Sequence, residues 1–153
     1  DLQDSSNSRI FFLERGKSLH EFSSGSTKIS FFRTKHLEYQ IKECDDHYSI
    51  QIEDEKKKIF IAGDLELNAE ETEKLFQNNS FDAVFFNPMV LYKPDWINNY
   101  LSVNASRKYI YHIPSEANDR FFYRKITLHH YNLLKEKLQN SQLLMDEMQK
   151  ISL

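Results

Sequence analysis

The chain has 153 residues, 40% of them hydrophobic and 14% aromatic, enough to bury one core and too few to promise two, so a single domain over 1–153 is expected. Twenty Lys and Arg against 23 Asp and Glu leave a formal charge of -3 spread along the sequence, which argues against nucleic acid or an anionic membrane as a partner. One cysteine, Cys44, excludes an internal disulfide framework and fits a reducing cytoplasm, and no stretch has the length of a membrane span or the pattern of a signal peptide, so a cytoplasmic location is expected.

Residues 1–8 are polar and rich in turn formers and read as a loop, whereas 9–13 (RIFFL) reads as a short buried strand. Residues 18–22 offer a nearby pairing segment, Gly25 among serines marks a turn, and a strand is predicted over 28–33. After polar sequence over 38–46, residues 47–53 alternate with Tyr48, Ile50 and Ile52 on one face, and 57–62 returns beyond a charged turn, a hairpin pattern. Asn68 and Glu71 suggest a helix cap and its partner before a helix over 69–77, stopped by Asn78, Asn79 and Ser80. A strand over 81–86 ends at Asn87 and Pro88, Pro94 opens a helix carrying Trp96, Ile97, Tyr100 and Leu101, and a strand is predicted over 108–113. A helix from about residue 120 or 124 to 138 follows, then a last helix within 139–153 whose stripe of Leu143, Leu144, Met148 and Ile151 suits a core or dimer contact. The order predicts an α/β fold, a mixed sheet with helices packed on one face.

Three of the apolar runs close on a possible metal ligand: His36, Asp64 and His112. Imidazole and carboxylate together suit zinc, and also iron or manganese, and three ligands would leave a position for a hydrolytic water. His47 stands at the mouth of the hairpin and competes with His36 for the role. Gly63 permits the tight turn that aims Asp64 across the strand ends. Asp119 could orient a ligand imidazole or, with Asn118, cap a helix, and Asn87 could face the site or merely end its strand.

The segments TKH (34–36), FIAGD (60–64) and YIYHIP (109–114), with DAVFFNP (82–88) between the last two, resemble the second half of the metallo-β-lactamase fold over roughly residues 9–135. The resemblance implies half of an αββα sandwich, with His36 completing one metal site, Asp64 bridging two zinc ions and His112 completing the second. It implies a hydrolase in which metal-bound hydroxide attacks an ester, lactone, amide or phosphodiester of a small-molecule substrate, Asp64 being catalytic. The family's His-x-His-x-Asp-His segment is absent, and because the chain opens on Asp1 the expectation is that an upstream segment has been removed. The alternative is a degenerate relative that serves as a non-catalytic interaction or assembly module, a homo-oligomer being one form of it.

Overall fold

The computed structural model describes residues 13–14, 16–37, 47–145 and 151. Seven strands form one sheet in which spatial order repeats chain order: β1 (Leu19–Ser24), β2 (Thr27–Thr34), β3 (His47–Glu53), β4 (Lys58–Ile61), β5 (Phe81–Phe86), β6 (Ala105–Ile110) and β7 (Ser141–Leu143). The first four pair antiparallel with their neighbours in chain order, and β4 to β7 pair parallel. Parallel neighbours need crossovers, and these carry α1 (Glu70–Gln77), α2 (Pro94–Ser102) and α3 (Tyr123–Leu133).

All three helices pack on one face of the sheet. Phe76 of α1 meets Phe60, Phe81 and Phe86 at ring separations of 5.2, 6.0 and 5.7 Å. Tyr100 of α2 stands edge-on to Phe86, and its hydroxyl donates to Ser141 Oγ at the far edge. From α3, Tyr131 donates to the Ser141 carbonyl and Thr127 shares a 2.7 Å hydrogen bond with Tyr92. This aromatic layer, with Val84 and Ile110 beneath it, is the core.

The other face carries no helix among the described residues. Strand register puts Phe31, Ile50, Ile61, Phe85 and Tyr109 in one row across five strands, and Phe22, Ile29, Ile52, Ile59 and Ala83 in the next. In β3 the alternation is inverted with respect to the helices: Ser49 and Gln51 point toward the helix-covered side, while Ile50 and Ile52 point away from it.

The architecture expected from the sequence is thus present at the level of a mixed sheet with helices on one side, and several elements differ in detail. β6 begins at Ala105 instead of Lys108 and ends at Ile110, so His112 lies beyond the strand. Helix α1 starts without the Asn68 cap; Ala69 is the N-cap residue, and Asn68 Oδ1 instead accepts from Asn99 Nδ2. The helix predicted within 139–153 gives way at 141–143 to β7, an edge strand satisfied by parallel pairing to β6. The loop at 1–8, nearly all of the 9–13 strand, and Met148 with its neighbours lie outside the described residues.

Candidate functional site

The loops beyond β2, β4, β5 and β6 bring the singled-out residues to one end of the sheet. Past β2 the chain stays attached to the β4 loop: His36 and Leu65 form an isolated antiparallel bridge, and the Leu37 amide donates to the Asp64 carbonyl at 2.8 Å. Gly63 adopts φ +63°, where a Cβ would fall 2.7 Å from His47 Nε2, so the turn needs glycine both for its backbone and for the imidazole against it.

His47 is fully engaged. Its Nε2 accepts the Asp64 amide at 3.0 Å, which puts its proton on Nδ1, 2.8 Å from Thr34 Oγ1. Thr34 then donates to Ser49 Oγ at 3.1 Å, and Ser49 donates to the Ala62 carbonyl at 2.8 Å. Every donor in this chain has one acceptor, so the assignment of protons is self-consistent. Burial lowers the His47 pKa, His36 lowers it further, and Asp64 acts the other way.

Asn87, 4% exposed, ties the strand ends together. Its amide nitrogen donates to the Gly63 carbonyl and to Asp64 Oδ1, both at 3.1 Å, and its oxygen accepts the Met89 amide at 2.9 Å. It therefore both faces the site and ends its strand. Tyr111 packs nearby, its pKa raised by burial and by Asp64, with a hydrogen bond to the Gly63 backbone opposing them. His112 follows at φ +62° and lies exposed beside Tyr111, and it lines an open cleft of about 420 Å³ with Asp64, Asn87, Met89, Pro114 and Tyr123.

His36 and Asp64 do meet, with Nε2 3.9 Å from Oδ2, and the His36 and His47 rings are 5.3 Å apart. The metal reading nevertheless fails. Among the described residues no group of three or more His, Cys, Asp or Glu could hold a metal ion. The physical reason is in the geometry: His47 gives both ring nitrogens to protein partners, so His36 Nε2 and Asp64 Oδ2 remain only a pair, and His112, exposed beside Tyr111 at φ +62°, does not complete a group of three. The expectation of a dinuclear zinc hydrolase with His36, Asp64 and His112 as ligands, and of iron or manganese in its place, is corrected accordingly. Asp119 serves as a helix cap, its Oδ2 accepting the Arg124 amide at the start of α3.

The sequence did not signal the Thr34–His47–Ser49 chain, whose members are divided between β2 and β3, although two hydroxyls on the strand faces flanking a histidine were available as a clue. No family model matches the chain, and no curated protein matches it.

Proposed function

We propose that the chain is a non-catalytic assembly module on a scaffold related to the second half of the metallo-β-lactamase fold, and that it works by packing its helix-free sheet face against the same face of a second copy. The inverted alternation of β3 carries this reading. A solvated antiparallel strand places polar residues outward, yet here Ile50 and Ile52 are turned from the helices and continue as apolar rows over the neighbouring strands.

Two such faces stacked would give helices, sheet, sheet, helices, the four-layer order of the family it resembles. The middle of the face, from Phe31 through Ile50 and Ile61 to Phe85, holds no charged side chain, so two copies would not oppose like charges there. Five strands at ~4.8 Å spacing and two apolar rows at ~7 Å each make about 330 Å² per copy, roughly 650 Å² in all. The side chains flanking the two rows, Tyr48 and Arg33 among them, must therefore join the contact for it to approach the ~1,000 Å² of a specific interface.

Sedimentation equilibrium tests the reading. The expected result is a dimer at micromolar concentration that Ile50→Asp combined with Ile61→Asp turns into a folded monomer by circular dichroism. A wild-type chain that stays monomeric at the highest soluble concentration would remove the proposal.

A further inference from the structure

Five of the six large hydrophobic side chains left exposed among the described residues fall in one segment: Phe121 at 73%, Phe122 at 66%, Tyr123 at 43%, Ile126 at 40% and Leu133 at 69%. Their spacing on α3 explains the concentration. The inward stripe consists of buried Thr127 with half-buried Arg124, Leu128 and Tyr131, anchored by the bonds to Tyr92 and Ser141. Phe122, Ile126, His129 and Leu133 recur at intervals of four, three and four, which places them together on the opposite side of the helix. The helix is therefore held to the sheet by a mixed inward stripe and carries its more apolar stripe on the opposite side, where no described residue buries it. Phe122 also holds a left-handed backbone at φ +60°, a conformation that aromatic side chains seldom occupy.

The charge of the segment sets it apart from the rest of the chain. From Arg120 to Lys135 there are four basic residues, Arg120, Arg124, Lys125 and Lys135, and no acidic one, so this stretch carries +4 in a chain of net -3 and the remainder carries -7. Arg124 directs its guanidinium to the carbonyls of Pro114 and Met145 at 3.4 and 3.0 Å, while Arg120, Lys125 and Lys135 are exposed. Averaged over the whole sequence, this basic stretch disappears into the acidic balance.

We propose that the Arg120–Tyr123 turn and the outer face of α3 form a docking surface for an anionic lipid bilayer. Phe121, Phe122, Ile126 and Leu133 would enter the boundary between headgroups and acyl chains, and Arg120, Lys125 and Lys135 would meet the anionic headgroups. An outward helix face pairing an apolar stripe with flanking cations is the arrangement that lies in a membrane interface. A free phosphate has no use for five exposed apolar side chains, so the source of the anion is a lipid headgroup. The surface is on the side of the sheet opposite the face assigned to assembly, so the two contacts are independent and either can fail alone.

Flotation with phosphatidylcholine vesicles, with and without about 30 mol% phosphatidylserine at low salt, tests this. The chain is expected to float with the anionic vesicles and much less with neutral ones. Phe121→Ser with Phe122→Ser should lower the partition coefficient about tenfold or more, since both rings would leave the apolar zone. Lys125→Glu, at an exposed site that leaves the fold untouched, should lower it on anionic vesicles alone. Equal recovery with both vesicle types, or either variant floating as well as the wild type, would overturn the proposal. So would a chain that ignores vesicles and binds an acidic amphipathic peptide through the same residues, which would assign the surface to a protein partner.

Discussion

Gly63 shows how much one residue decides at the strand ends. A methyl group there would enter the van der Waals space of His47 Nε2, and the φ of +63° would strain any side chain. The imidazole cannot retreat without losing the Asp64 amide on one side and Thr34 on the other. Gly63→Ala is therefore expected to cost roughly 2–4 kcal/mol, the sum of left-handed backbone strain and overpacking, read as a lower urea midpoint at unchanged slope. The Gly-Asp pair was legible in the sequence as a placed turn. Its purpose was not, because the reason for the glycine is an imidazole sixteen residues earlier in the chain, and no local pattern joins the two.

At the level of elements, the Thr34–His47–Ser49–Ala62 chain of hydrogen bonds fastens the ends of β2, β3 and β4. It requires neutral His47, since protonated Nε2 cannot accept the Asp64 amide. The pKa of His47 in the fold lies below its ordinary value of about 6.5, so between those two values the unfolded chain binds more protons than the folded one. The contribution is present above pH ~6.5 and is lost as pH falls through the folded value. Urea midpoints taken from pH 7.5 downward are expected to fall for the wild type and to fall less for His47→Gln; equal slopes would mean that the histidine does not carry the dependence. The hairpin of β3 and β4, strand β5 and helix α2 could be read from alternation and Pro94, because their patterns are local. β6 could be read only in part. Its first half, Ala105 to Arg107, is polar, and Lys108 sits 3% exposed with its ammonium on the Tyr100 and Leu101 carbonyls at the end of α2, its pKa pushed down to about 8 by burial. A lysine facing the core has no signature in sequence, since only the partner helix explains it. The same is true of α3, whose inward stripe gives the expected helical period while its outward one goes unremarked until exposure is seen.

Across the whole molecule the two surfaces proposed for contact differ in kind, and that difference is testable. The sheet face is apolar and uncharged at its centre, so self-association through it should persist when sodium chloride is raised severalfold, whereas contact through the basic outer face of α3 should weaken as the Debye length shrinks from about 10 Å toward 3 Å. Sedimentation and flotation across the same salt series would separate them: a dimer that dissociates with salt would contradict an apolar interface. No helix among the described residues is long and apolar enough to cross a membrane. The order of the sheet has a further consequence. Because β1 to β7 lie side by side in the order in which they are encoded, each strand finds its partner already made when it appears, and none must wait for a segment from farther along the chain. A ribosome could therefore release this sheet one strand at a time, with the growing edge always being the newest piece of polypeptide.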